Sequence, residues 1–468
     1  MSEKNDNPQK QRALVLQGGG ALGAYEAGVL SVLCERLTQE DKVNNKKDGP
    51  LFDIIAGTSI GAMNAAVLVS NVVNRNKTWQ EAAHMLEHFW MDQAKEQEKE
   101  DEEKGGLSST PDISKWWWWQ DEAKQQTVFS ASVEAARRYY SVKEYVKRGA
   151  PNVFYPIIPP ELDSKFIDPD NTWLAYNSDP LKETIKRYSK DQNKEKDDDW
   201  RIATRRDKGE PRMLVISVNV VEGCTVAFDS YHTEAKDPEN PLYDGDGITI
   251  NHVMASGTLP VFYKFREIPK EDSGRKFCDG GILSNTPFRE LLQAHSDFWK
   301  EVVGEDQDKI PDLDVYIINV HPYKQDKVPT DHDAVKERIN DIIYSDRNSH
   351  YDEMVADLVT DYIAIIDKLK ELAKNHFKNK DESDVFQNEF EDFIKTQAKS
   401  KGASSEDRKY EDLLKARFKL TKVIRIEPEE PESYKDSISG KGADFTYDTI
   451  KTLIQQGKKD ARRVLEVQ

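Results

Sequence analysis

The sequence predicts an α/β fold, and three observations predict it. Residues 13–37 and 52–69 each read as strand, glycine turn and helix. Arg212–Val220, Leu313–Val320 and Leu420–Ile426 are mainly apolar runs of strand length without helical period. Other segments repeat their apolar residues every three to four positions, as helices do. Strands alternating with helices in this way form the pattern of an α/β domain.

The first unit starts with Ala13-Leu14-Val15-Leu16 and runs into Gln17-Gly18-Gly19-Gly20-Ala21-Leu22-Gly23. Ala24, Ala27, Val29, Leu30, Leu33 and Leu37 then recur with helical period. The loop admits three readings. Gly18, Gly20 and Gly23 match the dinucleotide fingerprint, which wants a second strand ending in an acid about 20 residues on. The polar loop Gln39–Pro50 follows instead, and Asp53 lies near the start of the next strand. Successive glycine N–H groups can also converge on one negative oxygen, as an oxyanion hole requires. The third reading is a tight turn that packs a helix on a sheet.

In the second unit Phe52–Ala56 reads as a buried strand, Gly57-Thr58-Ser59-Ile60-Gly61 as a sharp turn, and Ala62–Val69 as a helix. G-x-S-x-G between strand and helix is the setting of a nucleophile elbow. Gly57 and Gly61 leave room where a side chain would strike a neighbouring element. Ser59 falls at a helix N-terminus, whose dipole favours developing negative charge. Ile54–Val73 is uncharged and long enough for a membrane span. Its Gly57, Ser59, Gly61, Asn64, Ser70 and Asn71 fit strand–turn–helix better.

Trp79–Trp90 reads as a helix carrying His84 and His88 at i, i+4. No H-E-x-x-H glutamate or third ligand accompanies them, so they read as ordinary histidines and no metal site is expected. Lys95–Lys104 is a charge run and Gly105–Pro111 a flexible linker. The four consecutive tryptophans Trp116–Trp119 cannot share one face. They read as a cluster covering the core under a long loop, or as a lipid-facing lid, because indole favours the wet edge of a bilayer. Ser130–Arg148 is amphipathic and helical, Asn152–Asp170 a proline-rich loop, and Pro180–Lys186 a short helix opened by proline. With the charged linker Asp191–Asp199, the span 75–210 reads as a mostly helical, lid-like insertion decorating the sheet.

Thr225–Asp229 is placed to pair beside Arg212–Val220. Ile248–Ala255 reads as a helix broken by Ser256-Gly257-Thr258-Leu259-Pro260. Phe277-Cys278-Asp279-Gly280-Gly281-Ile282 follows, then Asn285-Thr286-Pro287 and the helix Phe288–Ala294. His321 closes the strand Leu313–Val320. From Asp331 the chain is charged and helical, with Ile342, Met354, Leu358, Ile363, Ile366, Leu369 and Leu372 as its apolar stripe. Lys374–Lys409 reads as loosely ordered and Asp444–Leu465 as a closing helix.

The formal net charge of −18 argues against nucleic acid as a partner and against electrostatic docking on anionic lipid. Cys34, Cys224 and Cys278 are odd in number and far apart, which points to a reducing compartment rather than a disulfide framework. Met1–Arg12 is polar and carries no apolar signal core. The expected location is cytoplasmic, with transient apolar contact at membrane surfaces.

A serine hydroxyl needs a base beside it to become a nucleophile. Asp279 sits on a turn before two glycines, which let the backbone approach and aim the carboxylate. Burial against Phe277 and Ile282 would raise its pKa towards that of a useful base. The other readings are a turn-capping Asp279 and a Ser59–Asp279–His321 triad in the chain order Ser, Asp, His.

Gly18-Gly19-Gly20-Ala21-Leu22-Gly23, Gly57-Thr58-Ser59-Ile60-Gly61 and Asp279-Gly280-Gly281, in that order, resemble the three motifs of patatin-like phospholipases. Ser256–Pro260 and Asn285-Thr286-Pro287 fit the family's pattern around the aspartate motif. The resemblance covers residues 10–325, with Leu420 to the end as a returning strand and helix. It implies a three-layer α/β/α sandwich around a mainly parallel sheet; the helical insertion 75–210 and the helical C-terminal appendage 331–415 have no counterpart in the family core. It also implies a Ser59–Asp279 dyad without histidine, an oxyanion hole from the amides of Gly18, Gly19 and Gly20, and Gly57, Gly61, Gly280 and Gly281 as supports. Lipid acyl esters are the implied substrates, phospholipid or lysophospholipid, and neither metal nor cofactor is implied. Many members carry Arg or Lys where this chain has Leu22, so a positive charge is missing there.

The expected domains are 10–330 (catalytic), 331–415 (charged helical appendage) and 416–468 (returning strand and helix). The alternative functions are a catalytically weak or inactive lipid- or partner-binding module on the same fold, and a dinucleotide-binding protein.

Overall fold

The computed structural model describes residues 8–45, 49–103, 149–150, 152–157, 176–190, 200–233, 242–260, 262–269, 275–303, 310–325, 328–329, 332–377, 380–396, 409–414, 417–429 and 441–466. The expected linker Gly105–Pro111, the tryptophan run Trp116–Trp119, the helix Ser130–Arg148 and the linker Asp191–Asp199 lie outside them.

The elements run β1 (Lys10–Leu16), α1 (Gly23–Val43), β2 (Ile54–Thr58), α2 (Ile60–Val73), α3 (Trp79–Glu103), β3 (Tyr155–Pro156), β4 (Tyr176–Asn177) and α4 (Asp179–Ser189). Next come β5 (Arg201–Ile202), β6 (Arg212–Asn219), β7 (Cys224–Asp229), β8 (Ile248–Thr249), α5 (Ile250–Ser256), β9 (Arg266–Glu267), β10 (Lys276–Asp279) and α6 (Phe288–Val303). The chain ends with β11 (Asp312–Ile318), α7 (His332–Tyr344), α8 (Asn348–His376), α9 (Lys380–Ile394), β12 (Leu420–Ile426) and α10 (Tyr447–Glu466).

The main sheet has the order β12-β11-β1-β2-β6-β10-β9, with β7 also on β6. β2 runs parallel to β6, from Ile54 opposite Arg212 to Thr58 opposite Ile216. Backbone bonds from Ile310 to Arg417, Leu313 to Lys419 and Asn319 to Ile426 advance in the same direction along β11 and β12, so this pair is parallel as well. β7, β9 and β10 make the antiparallel portion. The fold is thus the mixed, mainly parallel α/β class that the sequence predicts. β2 and β6 are buried along their whole length, which is why they read as continuous apolar runs rather than alternating ones.

The chain divides into two compact units. The larger holds Leu14–Pro287, Tyr316–Asp346 and Ile424–Gln468. In it α1 crosses α10 at two glycines, with Gly28 against the Ile454 carbonyl and Gly457 against the Tyr25 carbonyl. Tyr25 Oη donates to Asp460 Oδ2 across that crossing at 3.2 Å. The smaller holds Met1–Ala13, Phe288–Val315 and Arg347–Val423. Its centre is Trp299 with Ile310, and the Trp299 indole N–H donates to Gln11 Oε1 at 3.0 Å.

Several elements differ from their sequence reading, among them β3, which lies inside the expected loop Asn152–Asp170 and pairs with β4. α3 continues through the charge run to Glu103, because Lys, Glu and Gln are good helix formers. α5 starts at Ile250, since β8 pairs with β5 and Thr249 then forms a capping box with His252. Within Lys374–Lys409, expected to be loose, α9 forms. The Phe386 ring lies 5.5 Å from that of Phe377, and Lys370 Nζ sits 4.4 Å over Phe390. Among the described residues no helix is long and apolar enough to cross a membrane.

Candidate active site

Strand register explains how Ser59 and Asp279 meet. β2 and β10 flank β6 on opposite sides. Thr58 pairs with Ile216, and Asp279 pairs with Ser217. Ser59 is the residue after Thr58, and Asp279 is the last residue of its strand. Two positions 220 apart in sequence therefore end within one hydrogen bond: Ser59 Oγ donates to Asp279 Oδ2 at 2.7 Å.

Ser59 is held at φ 54° and ψ −122°, in the left-handed region that non-glycine residues avoid. Its N–H donates to Ser256 Oγ at 2.8 Å, and Ser256 Oγ donates to the Ile216 carbonyl. Its carbonyl accepts from Ala62 N at 3.1 Å and opens α2. The turn closes this tightly because Gly61 lacks a side chain: a Cβ there would lie 2.5 Å from the Leu16 carbonyl oxygen. Gly57 makes the matching approach, with the Gly61 carbonyl 2.5 Å from where its Cβ would be.

Asp279 is 2% exposed. Its N–H donates to the Thr258 carbonyl at 2.9 Å, and its Oδ1 accepts from Gly281 N at 2.7 Å. Burial pushes the carboxyl up to about 6, against the downward pull of the hydrogen bonds from Gly281 and Ser59. Gly280 packs on the Ile216 carbonyl.

The glycine loop lies beside the serine, for a methyl on Gly18 would sit 3.0 Å from Ser59 Cβ. Gly18 N–H donates to the Asn285 carbonyl at 3.2 Å, while Asn285 Nδ2 donates back to the Gly18 carbonyl at 3.1 Å and to that of Tyr344 at 2.8 Å. Gln17 fixes the loop from the other side. Its Oε1 accepts from Val320 N and His321 N at 2.7 and 2.9 Å, and its Nε2 donates to Thr286 Oγ1 at 2.7 Å. Gly20, at φ +58°, faces the Gly442 carbonyl, where no side chain fits. Among the described residues the N–H groups of Gly19 and Gly20 make no hydrogen bond. Gly18 has spent its N–H on Asn285, so these two neighbours are the open donors of the loop.

Behind the loop lies a polar group that the sequence reading missed. Glu26 is fully buried, and its Oε2 accepts from Asn64 Nδ2 at 2.8 Å. Asn64 also donates to the Gly23 carbonyl at 3.0 Å, and its Oδ1 accepts from the Trp90 indole at 3.1 Å. Burial pushes the Glu26 carboxyl up to about 8, so it is mostly neutral at pH 7. Its signal in the sequence is a lone charge within Gly23-Ala24-Tyr25-Glu26-Ala27-Gly28. Ser256, Thr258 and Gln17 adjoin glycines in sequence, where they read only as turn or motif. Tyr344 carries no sequence signal.

His321 does not stand between Ser59 and Asp279, whose bond is direct. Its Nδ1 pairs with Asp341 Oδ1 at 3.1 Å. Leu22 is 3% exposed and lies in the core. His84 and His88 are both exposed on α3. Among the described residues no group of three or more His, Cys, Asp or Glu is placed to hold a metal ion.

Next to these groups is an apolar rim. Leu259 and Phe262 follow Thr258, and Ile282 and Leu283 follow Gly281; all four are 42–49% exposed. A cavity of about 320 Å³ is lined among others by Tyr176, Tyr263, Lys264 and Arg266.

A family model described as patatin-like phospholipase matches residues 14–292. The chain belongs to the patatin-like phospholipase family. Among curated proteins, a cGAMP-activated phospholipase of Escherichia coli (strain TW11681) is 24% identical over 324 residues, 69% of this chain and 64% of that protein. The chain thus matches just under two thirds of that relative's length. Among solved structures, VipD from Legionella pneumophila aligns with 96% of this chain and 67% of its own at 13% identity and a TM-score of 0.30. The type III effector protein ExoU aligns with 98% of this chain and 53% of its own at 11% identity and a TM-score of 0.26.

Proposed function

We propose that the protein hydrolyses carboxylic esters of phospholipids or lysophospholipids, with Ser59 as nucleophile and Asp279 as general base. The observation that carries this reading is the 2.7 Å bond from the Ser59 hydroxyl to a buried carboxylate. Ser59 Oγ attacks the acyl carbonyl carbon and its proton passes to Asp279. The tetrahedral oxyanion is received by the N–H groups of Gly19 and Gly20, which make no hydrogen bond among the described residues. As the intermediate collapses, the ester's alcohol leaves with the proton from Asp279, and Ser59 keeps the acyl group. Asp279 then takes a proton from water, whose oxygen attacks the acyl-enzyme. Fatty acid departs and Ser59 recovers its proton. A carboxyl near pKa 6 suits this cycle, because it is ionised at pH 7 yet basic enough to hold a proton in transit.

The exposed Leu259, Phe262, Ile282 and Leu283 suit an acyl chain or the surface of a lipid aggregate, and the acidic chain suits apolar rather than charge-driven contact. The test is hydrolysis of phosphatidylcholine and lysophosphatidylcholine by purified protein, with products read by mass spectrometry. Ser59→Ala and Asp279→Asn should each abolish turnover, and a fluorophosphonate should label Ser59 stoichiometrically. Turnover that survives either substitution refutes the dyad. Labelling failure together with no turnover supports the non-enzymatic binding module instead. Since the Escherichia coli relative is cGAMP-activated, the assay is run with and without cGAMP.

A further inference from the structure

The Asn348–His376 helix carries two apolar stripes. Val359, Ile363 and Ile366 are half-buried and form the stripe that packs. The second stripe is open. It consists of Val355, Tyr362 and Leu369, interleaved with Tyr351, Leu358, Ile365 and Leu372, and these seven side chains are 37–59% exposed. Their steps along the chain alternate four and three residues without a break. That is the a/d spacing of a coiled-coil seam, sustained over three heptads, with Val355, Tyr362 and Leu369 at a and the others at d. The helix has 29 residues, so it is about 43 Å long and carries the seam on one straight element.

Charge along the same helix is lopsided. Residues 348–362 hold Asp352, Glu353, Asp357 and Asp361 and no Lys or Arg. Residues 363–376 hold Lys368, Lys370 and Lys374 against Asp367 and Glu371. Asp352 and Asp367 are already paired, with Arg289 at 2.7 Å and Arg417 at 2.9 Å, and Lys368 meets Glu371 of its own helix at 2.8 Å in an exposed pair that a second partner can join. Asp357 and Asp361 make no ion pair among the described residues. Two such helices side by side in parallel would set acids against acids. Set antiparallel, each acidic half meets the other's lysines.

We propose that this helix is a self-docking surface, pairing antiparallel with the same helix of a second copy of the chain in a short two-stranded coiled coil. In this register Tyr362 faces Ile365 of the second copy, and Leu358 faces Leu369. The g position Asp361 then lies across from Lys368 of the second copy, and the pair occurs twice by symmetry. A membrane fits the helix less well. Interfacial helices border their apolar face with Lys and Arg, whereas the open flank of this seam mixes Met354, Asp357 and Asp361 with Lys368.

The test is sedimentation velocity of the full chain across the micromolar range, with circular dichroism as the folding control. Wild type should shift with concentration towards twice the monomer mass. Leu358→Lys, at a half-exposed site, should raise the dimer dissociation constant about tenfold or more with an unchanged spectrum. Asp361→Lys should also weaken the dimer by opposing Lys368 of the second copy, and Asp361→Lys combined with Lys368→Asp should restore it. A chain monomeric throughout, a dimer indifferent to Leu358→Lys, or a double variant no tighter than Asp361→Lys overturns the proposal. So does a monomer whose binding to phosphatidylcholine vesicles is lost in Leu358→Lys, which would assign the seam to lipid.

Discussion

At Ser59 polar groups are buried and nearly all answered, while along Asn348–His376 apolar groups stand in water unanswered. In the first region Asp279, Glu26, Asn64 and Ser256 lie in the interior, each holding one to three hydrogen bonds. In the second, Leu358, Ile365 and Leu369 are each about half exposed on a helix whose other apolar stripe is packed. Burial of polar atoms changes their chemistry, since desolvation moves proton affinities by units. Exposure of apolar atoms changes what the molecule meets, since the missing contacts must come from outside. One region therefore reads as chemistry and the other as recognition.

Substitutions sharpen that contrast, and the largest effect falls on the buried side. Ser59→Ala or Asp279→Asn should lower ester turnover by about 10⁴-fold, since removing one member of a nucleophile–base pair typically costs that much. The measurement is kcat on a lysophospholipid. Next comes Gly61→Ala, whose methyl meets the Leu16 carbonyl oxygen at 2.5 Å. Backbone on both sides must shift, and thermal unfolding should report a loss of about 3 kcal/mol.

Asp279→Asn carries a second expectation. An acid whose pKa is raised on folding, here from 3.8 to about 6, favours the fold below pH 4 and loses that contribution as pH rises to 6. The Asn variant has no charge to bury. Inactive as it is, it should be more stable than wild type at pH 7.5, by up to about 3 kcal/mol. The gap should vanish below pH 4. Denaturant melts at both pH values check it, and an Asn variant less stable at pH 7.5 would contradict the burial argument. A smaller effect follows for wild type. kcat/KM should fall tenfold per pH unit below about 6 as Asp279 protonates, and stay level just above. The smallest belongs to the exposed helix. Leu358→Ala should change monomer stability by less than about 0.5 kcal/mol, because half of the side chain is already in water.

The two regions also differ in how far they could be read from sequence. The elbow was legible because sharp turns demand glycines at fixed offsets, and Gly57, Gly61, Gly280 and Gly281 mark them. What glycines do not encode is partnership. That Thr258 O receives Asp279 N–H depends on the register of β10 against β6, and no local pattern around Thr258 sets it. Gly18 looked like an oxyanion donor, yet a carbonyl from Asn285, 267 positions away, occupies its N–H. On Asn348–His376 the periodicity was visible, but the sequence merged two stripes into one. Leu358 and Ile363 look alike in a list of apolar residues, and only packing separates the exposed from the covered. Lys374–Lys409 reads as loosely ordered within a helical appendage, and Lys380–Ile394 inside it is a regular helix. That helix is visible only once Phe386 and Phe390 have Phe377 and Lys370 to rest on.

The backbone at Ser59 restricts the alphabet there separately from the chemistry. With φ at 54° and ψ at −122°, a second branch at Cβ crowds the adjoining peptide planes. Ser59→Thr keeps a hydroxyl and still cannot rest comfortably at the elbow, whereas Ser59→Cys keeps the unbranched shape. A sulfur nucleophile is thus the one ready swap, and mutational drift at this codon should end in thiols, alanine or glycine rather than in another alcohol.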